Sequence, residues 1–501
     1  MRQNKKMADS VFQKWFKKGE TMDYTKLSIL EVSKLLHDGS VTSEELTKQV
    51  LNNIKQKQNL HALTSVCEEY ALKKAREVDA LFKKGEKLPL LAGVPITIKD
   101  NINIKGLKTT CSSKFLENFV APYSATIVEK LEQNYAVIVG KNNLDEFAMG
   151  SSTENSAFFT TPNPYNLEYV SGGSSGGSAC AVAANLGFAS VGTDTGGSVR
   201  QPACLCGVVG LKPTYGLVSR YGIVAFASSL DQAGPLTKTV KDSAIMLNAL
   251  TGYDEKEETS VKREKEDYLT SFSGSVKGIK IGLIKEISSD GMDVEVKEKL
   301  ESVIEFYKNQ GAEFVELSVP FVNNALACYY ILSSAEAASN LARFDGVKYG
   351  VSVFDAKNIN DLYLKNRSNG FGKEVKRRIM LGNYVLSSGY YDAYYKKAKK
   401  VQKKLVEQFN KVFESCDVIL TPTSPTPAFK IGEKANNPLS MYLSDVYTVP
   451  VNIAELPAIS VPCGFNKMGL PIGFQLIGKK FSEKTLFNVA DVYDSKNGEA
   501  K

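Results

Sequence analysis

The chain has 501 residues, of which 43% are hydrophobic and 23% charged, and its formal net charge is +7. This composition is typical of a globular protein, and no apolar run approaches the roughly 18 residues that a membrane-spanning helix needs. The positive charge is mild for this length, so composition alone gives no argument for a nucleic-acid-binding domain.

Cysteine and histidine usage indicates the compartment. The eight cysteines form no C-x-x-C pair, and the only histidines are His37 and His61. We therefore expect neither a zinc site nor a disulfide framework, which fits a reducing, cytosolic setting. Residues 1–21 are polar and basic and lack the apolar core of a secretory signal. They are interpreted as a flexible extension, with a weak organelle transit peptide as the alternative.

Along the chain, the type of predicted secondary structure changes after Pro89. Helices are predicted first, at 28–37, 42–55 and 71–83, and Thr42 or Ser43 is expected to cap the second of them. Strands and helices then alternate: a buried strand at 90–98, a helix at 125–134, a strand at 136–140, a helix from Asn143, a helix at 178–185 and a strand at 188–192. This alternation predicts an α/β fold, with a mixed sheet covered by helices on both faces.

A highly charged segment at 253–268 interrupts this pattern and is predicted to be a solvated connection. Strands at 279–284 and 313–317, one or two long helices at 374–409, and a strand at 418–420 follow it.

Two glycine- and serine-rich loops carry the candidate chemistry. They are GGSSGGSAC (172–180) and GTDTGGSVRQPA (192–203), and each places a serine, Ser174 or Ser198, near the start of a predicted helix. Backbone N–H groups at such a turn suit a developing oxyanion. Lys99 ends the buried strand upstream, where catalytic groups tend to lie. Together these features indicate a serine nucleophile, a proton relay and an enzyme acting on acyl groups.

Other interpretations of these loops are weaker. No Gly-Lys-Ser/Thr follows them, which excludes a P-loop, and Arg200 stands where an α/β-hydrolase elbow at Ser198 would need glycine. Both histidines are far from the loops in sequence, so Lys99 is preferred as the base. Its pKa must then fall well below the usual ~10.4, which burial at an apolar strand end can achieve. Each residue alone also suits an ordinary helix cap or surface position.

LAGVPITIKDN (91–101), the two loops and the segment that follows them closely resemble the amidase signature family of Ser–cis-Ser–Lys hydrolases. Stretches at 228–240, 339–350, 371–382, 387–395 and 441–464 narrow the resemblance to the glutaminase subunits of tRNA-dependent amidotransferases. The resemblance implies a single amidase-signature domain at 22–494, preceded by the extension at 1–21 and followed by a tail at 495–501.

The resemblance also implies site roles. Ser198 would be the nucleophile, and Ser174, after a cis peptide bond, would relay protons between Ser198 and Lys99. The N–H groups of Thr195, Gly196 and Gly197 would form the oxyanion hole. Arg378 and Asp445 would hold the carboxylate and amino group of glutamine, and Tyr329 would line the pocket.

The implied partners are amidotransferase subunits B and C, in a heterotrimer. Ammonia from glutamine would pass to the B subunit, which binds most of the tRNA and uses ATP and magnesium, so no cofactor is expected on this chain. Two alternatives remain open. The first is a stand-alone amidase with another amide substrate. The second is a non-enzymatic RNA-binding subunit, based on the basic stretch 396–404 and the tyrosines just before it.

Overall fold

The computed structural model describes residues 22–287, 291–353 and 355–497. The predicted extension at 1–21 therefore lies outside the described residues, as do residues 498–501 of the predicted tail.

The secondary structure is dense throughout this range. The strands are β1 (Leu63–Val66), β2 (Pro95–Lys99), β3 (Val137–Asn142), β4 (Pro162–Asn163), β5 (Asn166–Val170), β6 (Ala189–Asp194), β7 (Val209–Lys212), β8 (Gln232–Thr237), β9 (Lys280–Ile284), β10 (Glu313–Leu317), β11 (Val418–Pro422), β12 (Ala458–Phe465) and β13 (Pro471–Gly478). The α-helices are α1 (Ile29–His37), α2 (Ser43–Gln56), α3 (Glu68–Lys83), α4 (Thr126–Gln133), α5 (Gly176–Ala183), α6 (Arg200–Leu205), α7 (Val240–Leu250), α8 (Val294–Asn309), α9 (Ala325–Asn340), α10 (Ile359–Gly370), α11 (Lys373–Leu386), α12 (Lys396–Val412), α13 (Pro438–Leu443), α14 (Val449–Ile453) and α15 (Glu483–Asn497).

Eleven of these strands form one sheet in the order β1-β3-β2-β6-β8-β7-β12-β13-β11-β9-β10. β2 runs parallel to β3 and β6, and β9 runs parallel to β10 and β11, whereas the strands in the centre of the sheet pair antiparallel. Every residue of β2, β3, β6 and β7 is buried, which requires cover on both faces of the sheet. The predicted fold class is therefore confirmed.

Helix α2 begins at the predicted cap. Thr42 precedes α2, its hydroxyl accepts the N–H of Glu45, and the Glu45 carboxylate accepts the N–H of Thr42 at 2.8 Å. Ser28 and Glu31 form the same reciprocal pair ahead of α1. Each capping box satisfies donors that a helix N-terminus would otherwise leave unpaired.

The helix predicted from Asn143 is wrong. The chain instead makes a short 3-10 turn at Glu146–Ala148, in which Phe147 and Ala148 have φ of 50° and 62°. An α-helix excludes such left-handed φ values. The buried side-chain amide of Asn143 donates to the Phe159 carbonyl and the Thr161 hydroxyl, both at 2.9 Å. These distant partners override the local helical pattern.

Several element boundaries also differ from those predicted. The strand predicted from residue 90 begins only at Pro95, and the stretch 374–409 divides into α11 and α12, with Gly389 at φ 87° between them. The predicted domain end at 494 falls inside α15. Among the described helices, none is both long and apolar enough for a membrane span.

The sheet topology positions the candidate site. Ile98 of β2 lies opposite Val191 of β6 in the parallel pair, so the carboxyl ends of the two strands, Lys99 and Asp194, share one edge of the sheet. Helix α5, which follows the first glycine-rich loop, packs on β6 and β2. Both loops therefore meet at the end of the strand that carries Lys99.

Helix α5 packs so closely that one of its glycines has no room for a side chain. A Cβ atom on Gly177 would lie 2.4 Å from the Asn143 carbonyl oxygen and 2.5 Å from that of Ala62. Because both atoms belong to the main chain, the helix itself would have to move.

We expect Gly177→Ala to destabilise the fold by about 2–3 kcal/mol through overpacking, and to lower catalytic activity because α5 follows Ser174 directly. Urea unfolding and activity per folded protein measure the two effects. Gly274→Ala is the control: Gly274 has φ 70° and open space around it, so alanine costs about 1–2 kcal/mol of backbone strain without displacing α5. Wild-type stability and activity in Gly177→Ala would contradict the packing argument.

Candidate active site

The two glycine-rich loops and Lys99 meet, as the sequence predicts. Lys99 is fully buried, and its Nζ donates to the Oγ atoms of Ser174 and Ser175, each at 2.8 Å, and to Oγ1 of Thr193 at 3.0 Å. The peptide bond between Gly173 and Ser174 is cis. Ser175 supplies a second hydroxyl to Lys99, and the sequence did not predict this contact. Lys99 thus has hydroxyl partners from both loops, since Thr193 belongs to the second.

Burial sets the proton affinity of Lys99. Loss of solvation lowers the pKa of the Lys99 ammonium to about 7, although the nearby carboxylates of Asp145, Asp194 and Asp231 act in the opposite direction. At pH 7.5 a group with that pKa is roughly three-quarters neutral, against about 0.1% for an ordinary lysine. Lys99 therefore meets the requirement for a base at neutral pH.

Ser198 lies on the turn between β6 and α6. It is 8% exposed, whereas Ser174 and Lys99 are completely buried, so of the three only Ser198 is open to solvent. The N–H of Ser175 donates to the carbonyl of Ser198 at 3.1 Å, which joins the two loops directly. This arrangement places Ser198 in direct backbone contact with the loop that carries the buried Ser174–Lys99 pair.

Asp194 holds the Ser198 turn. Its carboxylate accepts the N–H groups of Gly197 at 2.9 Å and Val199 at 3.2 Å. It also accepts two bonds from the Arg200 guanidinium, from Nε and Nη2, each at 3.0 Å. Burial alone would raise the pKa of Asp194, but the charge and hydrogen bonds of Arg200 outweigh it and lower the pKa to about 2. Asp194 therefore remains ionised at any physiological pH.

This turn also determines which backbone donors face a substrate. The N–H of Gly197, one of the three predicted oxyanion donors, is already bonded to Asp194, so it can serve an oxyanion only as a shared donor. The N–H groups of Gly196 and Ser198 have no acceptor within the described residues. The Tyr329 side chain covers Gly196. If Gly196 carried a Cβ atom, that atom would lie 2.8 Å from the Tyr329 hydroxyl oxygen.

The three predicted substrate-binding residues lie near this turn. The carbonyl of Asp445 accepts bonds from the N–H and the hydroxyl of Thr448, and that hydroxyl also donates to the Gly196 carbonyl at 2.6 Å. Tyr329 interacts electrostatically with both Arg378 and Asp445. The structure thus brings an arginine, an aspartate and a tyrosine from distant segments to the edge of the Ser198 turn.

Arg378 and Asp445 are both buried, at 3% and 7% exposure. Arg378 donates through Nε to Glu374 at 2.7 Å, whereas its Nη1 is buried without a partner among the described residues. Asp445 accepts the hydroxyl of Ser151 at 2.5 Å. Burial raises the pKa of the Asp445 carboxyl to about 7, although the Ser151 hydroxyl and the Arg378 charge lower it in part. Buried charges with unused bonding capacity indicate a site for a charged ligand.

Sequence reasoning assigned no role to several buried polar residues of this site: Asn101, Asp145, Ser151, Thr193, Asp194, Asp231, Glu374 and Asn452. Two of them carried a local signal. Asp194 directly precedes a glycine turn that opens a helix, a position at which a carboxylate caps exposed N–H groups. Glu374 stands four residues before Arg378 on one helix, the spacing of an ion pair. The others depend on contacts across the fold, which spacing does not reveal.

The histidines take no part in the cluster. His37 bonds through its ring to the carbonyls of Ser33 and Leu88, and His61 stacks on Phe159 at 5.1 Å. Within the described residues, no group of three or more His, Cys, Asp or Glu side chains is arranged to hold a metal ion.

A buried lysine bonded to serines, next to a turn with free N–H groups on a mixed α/β sheet, is the arrangement of a serine amidohydrolase with lysine as its base. Comparison with known proteins agrees: a family model described as Amidase matches residues 45–487. The chain therefore belongs to the amidase family, as its motifs predicted.

Individual relatives are close. The A subunit of the glutamyl-tRNA(Gln) amidotransferase of Caldanaerobacter subterraneus subsp. tengcongensis is 56% identical over 474 residues, which cover 94% of this chain and 97% of that protein. The crystal structure of the corresponding A subunit from Thermotoga maritima is 44% identical with a TM-score of 0.79, covering 95% of this chain and 96% of that one. The native peptide amidase of Stenotrophomonas maltophilia is 27% identical with a TM-score of 0.81, covering 96% and 98%.

The pKa of Lys99 gives a pH test that does not depend on the substrate. We expect the rate at which a neutral phosphonyl fluoride labels Ser198 to fall about tenfold per pH unit below pH 7, because protonated Lys99 accepts no proton, and to level off above pH 8. Such a probe has no amino group, so Asp445 does not influence its binding. Quench-flow labelling followed by mass spectrometry measures the rate. A constant rate between pH 5.5 and 8.5 would exclude Lys99 as the base.

Proposed function

We propose that this chain is the glutaminase subunit of a tRNA-dependent amidotransferase, which hydrolyses glutamine and supplies ammonia for the conversion of Glu-tRNA(Gln) to Gln-tRNA(Gln). The observation that carries this proposal is the buried pair Arg378 and Asp445 beside the Ser198 turn. An arginine and an aspartate match the carboxylate and the ammonium of a free amino acid. The 56% identity to the A subunit of a glutamyl-tRNA(Gln) amidotransferase supports it.

The chemistry assigns one role to each residue. The oxygen of Ser198 attacks the side-chain amide carbon of glutamine, and its proton passes through Ser174 to neutral Lys99. The oxyanion is stabilised by the N–H groups of Thr195 and Gly196, with Gly197 as a shared donor. The C–N bond then breaks, and the same proton returns through Ser174 to the leaving nitrogen, which departs as ammonia.

Deacylation repeats these transfers with water. A water molecule loses its proton to the relay, and the resulting hydroxide adds to the carbonyl carbon of the glutamyl ester. The ester C–O bond breaks, and Ser198 recovers a proton through Ser174. Glutamate leaves as its carboxylate and releases one proton. No cofactor takes part on this chain, because each step is a proton transfer or an acyl transfer.

The partners follow from the same proposal. Subunits B and C complete a heterotrimer, in which the B subunit contacts the tRNA and uses ATP and magnesium to activate the glutamyl carboxylate. The complex acts in a bacterial-type cytoplasm.

A stand-alone amidase is less well supported, since the peptide amidase is only 27% identical to this chain and a simple amide needs no Arg378 and Asp445 pair. Of the tyrosines before the basic helix α12, Tyr390, Tyr391 and Tyr394 are exposed, whereas Tyr395 is partly buried against the core.

The test is Ser198→Ala in the assembled complex. We expect glutamine hydrolysis and glutamine-dependent amidation to fall by about 10³-fold or more, because no other group forms the acyl-enzyme. Amidation with ammonium salt supplied directly is expected to persist, because it bypasses this site. Radiolabelled glutamine hydrolysis and formation of Gln-tRNA(Gln) are the two measurements.

Ser387→Ala, at an exposed serine directly after the C-terminal end of α11, is the matched control and is expected to behave as wild type. Retained glutamine hydrolysis in Ser198→Ala would rule out the assigned nucleophile. Faster cleavage of simple aliphatic amides than of glutamine by the wild-type complex would favour the stand-alone amidase instead.

A further inference from the structure

We propose that Glu374 is a positioning residue that fixes the Arg378 guanidinium so that one edge stays available for the carboxylate of the amino-acid substrate. This inference rests on the proposed function, because it deepens the substrate recognition assigned to Arg378. It concerns a residue to which neither the resemblance nor the mechanism assigns a role.

Glu374 and Arg378 lie one turn apart on α11, and both are buried. The Oε1 atom of Glu374 accepts Nε of Arg378 at 2.7 Å and the hydroxyl of Tyr442 at 3.0 Å. Its second carboxylate oxygen pairs with Arg377. The carboxylate is thus held by three donors from two helices, which leaves it a single orientation.

That orientation determines what remains free on Arg378. The guanidinium is planar, and its Nε edge is occupied by Glu374. Its carbon atom lies 4.5 Å from the ring centroid of Tyr330 and 5.0 Å from that of Tyr442. Those two rings stack on each other at 3.9 Å, so they form a rigid wall. With one edge and a wall fixed, Nη1 remains as a donor that is buried and unpartnered among the described residues.

An unpaired buried guanidinium nitrogen is costly unless a ligand completes it. Glu374 therefore has two effects: it prevents Arg378 from turning toward another acceptor, and it balances one of the two adjacent arginine charges. Arg377, Arg378 and Glu374 together carry one net positive charge, and ionised Asp445 carries one negative charge. This balance suits a zwitterionic amino acid.

A purely structural role for Glu374 predicts a different outcome. Helix ion pairs at this spacing stabilise a helix only slightly, and their loss would affect every substrate alike. A positioning role affects only substrates with an α-carboxylate. Glutamine and 4-aminobutanamide separate these possibilities, because the second is glutamine without that carboxylate.

The experiment compares Glu374→Gln with wild type in the assembled complex. We expect KM for glutamine to rise about tenfold or more, with kcat within about threefold of wild type, because a charge-assisted contact is misplaced rather than a reacting group lost. Values of kcat/KM for 4-aminobutanamide are expected to stay unchanged. Glu374→Asp should recover part of the glutamine affinity. Glu407→Gln, at an exposed glutamate of α12, is the matched control.

Equal losses on both substrates, or no change in KM for glutamine, would overturn the proposal. If the Glu374→Gln variant does not fold, the Tyr442→Phe variant tests the proposal instead. It removes one donor from the Glu374 carboxylate while keeping the ring, and a rise of about two- to threefold in KM is expected for glutamine alone. An unchanged KM in that variant would overturn the positioning role. Failure of the proposed function is distinguishable, because the wild-type complex would then cleave simple aliphatic amides faster than glutamine or would not hydrolyse glutamine.

Discussion

The buried ion pair between Asp194 and Arg200 is the interaction on which the candidate site depends. Both side chains are fully buried, and Arg200 also donates to Gln475 at 3.0 Å and Asn452 at 2.6 Å. Two desolvated charges are stable only when their bonding capacity is filled, and here β13 and α14 fill it. The Ser198 turn is therefore anchored to β13 and α14 by the same pair that caps its N–H groups.

Hydrogen bonds also connect the helix that carries Arg200 to the first glycine-rich loop and, through Ser151, to Asp445. Gln201, next to Arg200 on α6, accepts the N–H of Gly173 at 3.0 Å and donates to the carbonyl of Ser151 at 3.0 Å. Ser151 in turn donates to Asp445. One short helix thus connects the Ser198 turn, the first glycine-rich loop and Asp445. A shift of that helix would change catalysis and recognition together.

The sequence predicted the parts of this site that have local signals. Lys99 could be placed because an apolar strand ends in a lysine, and Ser198 because a glycine turn opens a helix. The turn after Asn143 could not be predicted, since distant acceptors at 2.9 Å override its helical pattern. Arg378 and Asp445 came only from resemblance, because 67 residues separate them in the sequence and no periodicity relates them.

The pKa values of Lys99 and Asp445 show what burial does to two separate parts of the site. Burial brings the pKa of each to about 7, from opposite directions. Lys99 must be neutral to accept a proton, and Asp445 must be ionised to hold an ammonium group, so both functional states are favoured above pH 7 and lost below it. In the proposed function, the ammonium of glutamine supplies a positive charge that favours ionised Asp445. The burial that lowers the pKa of Lys99 would then, at Asp445, make ionisation depend on a substrate that carries this positive charge.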